Sequence, residues 1–158
     1  MSEKEQLPLR MGVGIVLLNH ENKIFVGKRI DNPKNFWQMP QGGVELNESF
    51  LQAAKRELEE ETGVKSVEII KVLNELLIYE LPKNLIGKVL GGKYRGQKQK
   101  WFIMKFSGKD NEINVKTLNP EFLDWKWVDL SELPYIAVSF KVELYKRLKN
   151  ELNLLMLN

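Results

Sequence analysis

A stretch of 23 residues, Gly42 to Val64, limits this chain more than any other part of it: a glycine-led loop running into a helix that ends on Glu57, Glu59, Glu60 and Glu61. Asn47 is placed to cap that helix, Glu48 favours its first turn, and Gly63, just past Thr62, is suited to stop it. The C-terminal end of a helix carries partial negative charge, so each carboxylate there costs about 0.3–1 kcal/mol. Like charges spaced i,i+3 and i,i+4 add roughly a few tenths of a kcal/mol of repulsion. A helix built for stability alone would carry Lys or Arg in that turn. Four glutamates imply a compensating cation.

At about 100° per residue, Glu57, Glu60 and Glu61 share one stripe. It borders the apolar side made by Phe50, Ala54 and Leu58, and Ala53 beside it leaves room for close approach. Glu59 points away and is expected in solvent. Three carboxylates on one stripe are hard oxygen ligands of the kind that suits Mg²⁺, Mn²⁺ or Ca²⁺. Taken by itself, the same pattern also describes a solvated acidic helix end.

The remainder of the chain narrows the chemistry. At 158 residues, 43% hydrophobic and 28% charged, it reads as one globular domain over residues 1–158. No apolar run approaches the roughly 18–20 residues of a membrane helix, and Met1 to Gln6 lacks the apolar stretch of a secretory signal. No membrane association and no stable protein partner are expected. The absence of cysteine excludes disulfides, thiolate metal sites and cysteine nucleophiles, and it fits a cytoplasmic protein. The one histidine, His20, lies in a polar cluster between two apolar runs and reads as an exposed turn residue, so catalysis falls to carboxylates. The net charge of +3 is uneven: Glu45 to Glu61 holds six glutamates against Lys55 and Arg56, a local net of −4, which leaves +7 elsewhere. A basic body around an acidic segment suits an anionic partner whose charge is met by something besides the protein.

Met11 to Leu18 is a nearly unbroken apolar run and predicts a buried strand, with Ile24-Phe25-Val26 as its hairpin partner across the His20 turn. Asp31 to Asn35 predicts a loop, and Phe36 to Gly43 a short segment of turns. Val67 to Leu81 is expected to be extended, followed by a long Gly/Lys-rich connection to Lys100 and a strand from Trp101 to Phe106. In Phe122 to Val128, Leu123, Trp125 and Trp127 alternate with Asp124 and Lys126, as in a half-buried strand. Ser139 is placed to cap a final helix in which Phe140, Leu144, Leu148 and Leu152 recur every four residues. The sum is a mixed α/β chain.

Gly42, Glu48, Arg56-Glu57, Leu58, Glu60-Glu61, Gly63 and Val64 fill every fixed position of the pattern known as the Nudix box, and the chain is identified on them as resembling the Nudix hydrolases. The resemblance implies an α/β/α sandwich around a mixed sheet, and hydrolysis of a nucleoside diphosphate linked to another group by attack of water on phosphorus. It implies that Glu57, Glu60 and Glu61 hold divalent metal, Mg²⁺ foremost and Mn²⁺ as the alternative, with backbone oxygen near Gly42. Arg56 would orient the glutamates and Glu48 would brace the box. Phe36 to Gly43, Gly96 to Phe102, Asn119 to Phe122 and Ser139 to Lys141 resemble one branch of the family. That branch comprises the bacterial RNA pyrophosphohydrolases and the similar diadenosine tetraphosphate hydrolases of plant type. That likeness maps a further metal ligand or general base onto Glu121. It also implicates Arg10, Arg29, Trp37, Tyr79, Lys98 and Lys100 in substrate contacts, and Val138 with Phe140 in holding a base. Where that group has Tyr-Arg-Pro, this chain has Leu9-Arg10-Met11.

From Lys83 to Lys105 there are seven basic residues and no acidic one, with Tyr79, Tyr94 and Trp101 among or beside them. Cations interleaved with rings suit a single nucleic-acid strand, and a triphosphate end alone would attract the same charge. The expected substrate is 5′-triphosphorylated RNA, the alternative a dinucleoside polyphosphate. A non-catalytic nucleotide- or RNA-binding module is the reading from another class.

Overall fold

The computed structural model describes residues 3–31 and 34–156. Met1 and Ser2 of the N-terminal stretch, and Asn32 and Pro33 of the expected loop, lie outside the described residues. The apolar run forms β1 (Leu9–Leu18), which pairs in parallel along its whole length with β7 (Gly96–Phe106). It also pairs antiparallel with the short β4 (Gln41–Gly43). With neighbours on both sides and a helical layer on each face, the strand is buried from Gly12 to Leu18, hence its near-continuous Val, Ile and Leu there. Around His20 the Asn19 side chain accepts the Glu21 and Lys23 amides, and the chain turns into β2 (Ile24–Arg29). β2 keeps one pairing with β1, Leu18↔Ile24, and then runs antiparallel to β8 (Phe122–Val128) and to β3 (Trp37–Gln38). β5 (Val67–Val72) and β6 (Leu77–Glu80) lie antiparallel along β7, completing an eight-stranded mixed sheet.

Alternation along β1 sends Val13, Ile15 and Leu17 to one face, where α1 (Phe50–Thr62) covers them with Ala53, Ala54 and Leu58. Val16 and Leu18 face the other side, beneath α2 (Leu133–Ile136) and the Leu144, Tyr145, Leu148 and Leu152 stripe of α3 (Val142–Met156). The fold is therefore α/β, a mixed sheet between helical layers, as the resemblance implied.

Local departures have local reasons. Ser49, not Asn47, caps α1: its Oγ accepts the Gln52 amide and Gln52 Oε1 accepts the Ser49 amide, a reciprocal capping box, while Asn47 takes φ 64° in the preceding turn. Gly63 does stop the helix, at φ 76°. Phe36 to Gly43 carries two short strands, β3 and β4, rather than turns alone. The intervening Met39 and Pro40 are buried because the Tyr145 hydroxyl accepts the Met39 amide and the Pro40 carbonyl accepts the Ile15 amide. The connection expected to reach Lys100 ends at Gly96, since Gln97 and Gln99 are buried sheet residues with partners of their own. Val67 to Leu81 breaks into β5 and β6. In β8 it is Phe122 that is buried and Leu123 that is exposed. A bulge pairs Arg29 with Phe122 and Lys28 with Asp124, skipping Leu123, and sets Phe122 beside Trp125 and Trp127 around Phe25. Ser139 caps nothing with its side chain; Ser139–Lys141 is a 3₁₀ turn leading into α3.

Candidate active site

Arg56 organises the acidic end of α1. Its Nε and Nη2 bind the two oxygens of Glu48 at 2.7 and 2.9 Å, and Nη2 also reaches the Gly43 carbonyl at 2.8 Å. Nη1 meets Glu57 at 2.9 Å and Glu60 at 3.1 Å. The Arg56 hydrogen bond, followed by one from the Glu45 amide, holds Glu48 down to about 2. Lys65 meets Glu59 at 3.3 Å in solvent, as the helix geometry predicted. The cation that the sequence called for is thus supplied by protein for three of the four glutamates.

Glu61 receives none. It is 4% exposed, and its Oε2 is buried with no hydrogen-bond partner. Burial first, then the charges of Glu57 and Glu121, push its carboxyl well above the usual range, against a smaller opposing pull from Arg29 and the Gln41 backbone. Burial likewise raises Glu57 despite the Arg56 hydrogen bond. Gly42 makes room for that carboxylate, because a Cβ at residue 42 would lie 2.0 Å from the Glu57 carboxyl carbon. Glu121 stands in the loop before β8, half exposed, 3.4 Å from Arg29. A cavity of about 590 Å³ opens over Glu57, Glu60, Glu61, Thr117 and Glu121. Among the described residues no three His, Cys, Asp or Glu side chains already converge tightly enough to cage an ion, since Glu60 is drawn outward to Arg56.

Cationic and polar groups of the other sheet face line the same end of β1. Arg29 is held by Asp31 through two 2.7 Å hydrogen bonds. The Tyr79 hydroxyl accepts from Gln97 at 2.7 Å, and its ring packs 5.8 Å from that of Phe140, the neighbour of half-buried Val138. Lys141, the last residue of the Ser139–Lys141 turn, is 5% exposed. Its Nζ has one hydrogen bond, to Gln38 Oε1 at 3.1 Å, and lies 5.1 Å from the Tyr79 ring centre. Burial, reinforced by Arg29, brings its ammonium down to about 7. Gln38 Nε2 and Gln97 Oε1 are also buried without partners. No local pattern announces a buried lysine; its burial depends on Gln38 and Tyr79, which belong to strands far earlier in the chain.

The structure does not gather every expected contact. Trp37 lies under Lys126 at 4.3 Å and Lys28 at 6.0 Å, and lines neither the acidic cavity nor the neighbouring groove. Lys98 and Lys100 share the α1 face of β7, in register with Met11 and Val13, and Lys100 Nζ donates to the Asn74 carbonyl. Arg10 lies over Gly43, where a Cβ would meet its guanidinium at 2.6 Å.

A sequence model of the NUDIX domain matches residues 8–148. An RNA pyrophosphohydrolase of Pelagibacter ubique is 62% identical over 148 residues, 94% of each chain, and one of Sphingopyxis alaskensis is 46% identical over 96% of this chain and 97% of its own. Among solved structures, a C. elegans Ap4A hydrolase binary complex superposes with a TM-score of 0.66 at 24% identity, over 92% of this chain and 98% of its own. The E. coli dihydroneopterin triphosphate pyrophosphohydrolase also gives 0.66, at 20% identity over 89% and 96%. At that distance these two structures speak to the fold alone.

Proposed function

The chain belongs to the NUDIX domain family and is a Nudix hydrolase, and on that footing we propose that it hydrolyses the 5′-triphosphate end of RNA. Water attacks a phosphorus and yields its proton to one of the site carboxylates. One phosphoanhydride bond breaks, pyrophosphate leaves, and the RNA keeps a 5′-monophosphate. The observation that carries this reading is Glu61: a buried carboxylate with an orphaned oxygen, within electrostatic reach of Glu57, Glu121 and Arg29 and lining one cavity with the two glutamates. Similarity to RNA pyrophosphohydrolases over nearly the full chain supports RNA as substrate.

The same residues fit a hard divalent cation, Mg²⁺ first and Mn²⁺ second. All the donors are oxygens, the orphaned Glu61 Oε2 lacks a positive partner, and Gly42 leaves the Glu57 carboxylate the space a side chain would fill. Glu57, Glu60, Glu61 and Glu121 would hold the ion together with backbone oxygen near Gly42. When bound, such a cation lowers the pKa of water and screens phosphate charge. The chain supplies the rest. Arg56 fixes Glu57 against the Gly43 loop, Arg29 and Lys141 meet phosphate oxygens from the opposite side, and Phe140 with Tyr79 offers rings beside the first base. A cytoplasmic location agrees with the absence of cysteine, and no helix among the described residues is long and apolar enough to cross a membrane.

The test is product analysis on triphosphorylated RNA beside diadenosine tetraphosphate, with and without Mg²⁺. Pyrophosphate release from RNA, at the higher kcat/KM of the two and only with metal, is the expected result. A large preference for the dinucleotide would reassign the substrate, and no release from either would mark a binding module.

A further inference from the structure

A second cavity, of about 680 Å³, meets the acidic one at Glu57 and Arg56 and leads away between the start of β1, the Gly43–Glu45 loop and the segment around Lys93. Its lining mixes the apolar side chains of Met11, Val44 and Leu90 and the Tyr94 ring with the cationic Arg10 and Lys93, and carries Glu45, Glu57 and Arg56 where it meets the acidic cavity. Met11 is 43% exposed, a large apolar side chain left open beside a charged cleft. Among the described residues, the side chains of Arg10, Lys93 and Tyr94 make no hydrogen bond or ion pair, whereas those of Glu45 and Glu57 are both matched by Arg56. The unmatched charge of the groove is therefore positive. In register beside Met11 on the same sheet face stands Lys98, which extends that charge along β7.

We propose that this groove seats the RNA chain beyond its first nucleotide, with a base lying on Tyr94 and Met11 and the following phosphates near Arg10, Lys93 and Lys98. The inference rests on the reading of the enzyme as an RNA pyrophosphohydrolase. Three observations favour a nucleotide over the departing pyrophosphate. The volume lies within the roughly 300–1,000 Å³ of sites for organic ligands. The apolar part of the lining has nothing to offer a bare polyphosphate. A ring flanked by unpaired cations is the pattern that binds single strands through stacking and phosphate contact. The groove also starts at Glu57, so a chain whose terminal phosphates sit in the acidic cavity can pass straight into it.

The experiment compares a nucleoside triphosphate with 5′-triphosphorylated RNAs of two and four nucleotides, using the wild-type enzyme, Tyr94→Ala, Tyr94→Phe and Lys93→Ala. KM should fall as nucleotides are added. Tyr94→Ala should raise KM for the tetranucleotide by about tenfold or more with kcat held, leave the nucleoside triphosphate unchanged, and be rescued by Tyr94→Phe. Photocrosslinking of an RNA carrying 5-iodouridine at its second or third position should label Tyr94. Length-independent KM, silent variants on RNA that is still hydrolysed, or an altered inhibition by pyrophosphate in place of an altered KM would overturn the groove assignment alone. Failure to hydrolyse any RNA, with diadenosine tetraphosphate still cleaved, would overturn the functional reading and this inference with it.

Discussion

The Glu57 carboxylate occupies the space in which residue 42 would carry a side chain, its carboxyl carbon 2.0 Å from where a Cβ would stand. Gly42→Ala should therefore be a functional lesion more than a structural one. The group in the way is the far end of a flexible side chain, so Glu57 can swing aside while β4 stays paired to β1. We expect kcat to fall by about a hundredfold or more, the cost typical of a misplaced reacting group, with a near-native melting temperature. Equal activity in the alanine variant, measured by pyrophosphate release, would separate Glu57 from the chemistry.

Glu61 links metal to stability. Its folded-state carboxyl titrates above its unfolded value, so between those two values the folded state binds more protons and stability declines as pH rises. In EDTA the wild-type melting temperature should fall as pH climbs above the ordinary carboxyl range, whereas Glu61→Gln should melt higher and show a flatter profile. Adding Mg²⁺ should raise the wild-type value and leave the variant unmoved. The same substitution should cut kcat by orders of magnitude, while Glu59→Gln, out in solvent with Lys65, should be nearly silent. Calorimetry across pH, with and without metal, checks both halves.

For Lys141 the sign runs the other way. Burial leaves the free enzyme's ammonium titrating near about 7, and a phosphate placed beside it stabilises the charged form, so substrate binding above that pH takes up a proton. KM for triphosphorylated RNA should then rise with pH above neutrality, by up to about tenfold per unit. Lys141→Met should have a raised KM below pH 7 and lose that dependence. A slope that persists in the variant would assign the titration to another group.

What could be read from the sequence was what depends on neighbours along the chain. The 100° step of a helix was enough to turn Glu59 outward and Glu61 inward, and Gly63 to end α1. The Ser49–Gln52 capping box was equally local and equally legible, yet Asn47 competed for the same role. Glu60 lies on the predicted stripe but leans out to Arg56, a choice made by one guanidinium fork that periodicity does not describe. The buried state of Lys141, the sheet positions of Gln97 and Gln99 and the inward turn of Phe122 were out of reach. Each is decided by strands distant in sequence: Gln38 and Tyr79 around the lysine, β1 and β6 around the glutamines, and a bulge against Arg29 for the phenylalanine.

Arg56 hydrogen-bonds four partners through one planar fork, and a lysine at that position would keep the charge while losing the geometry. Arg56→Lys can satisfy one of Glu48, Glu57, Glu60 and the Gly43 carbonyl well, not all together. Glu48 is the most dependent, because its depressed titration comes first from the Arg56 hydrogen bond; that contribution to stability is present above the unfolded carboxyl value and is lost as pH falls toward about 2. The variant should accordingly unfold at higher pH on acidification than wild type. Its kcat should drop by about a hundredfold, since Glu57 and the Gly43 loop lose their common anchor, with KM for a nucleoside triphosphate changed far less because Arg56 points at carboxylates and not at the cationic side of the cleft. Acid titration followed by circular dichroism, alongside steady-state kinetics, tests the two effects separately. If KM rose while kcat held, Arg56 would be a substrate contact and its role as the brace of the carboxylates would fall.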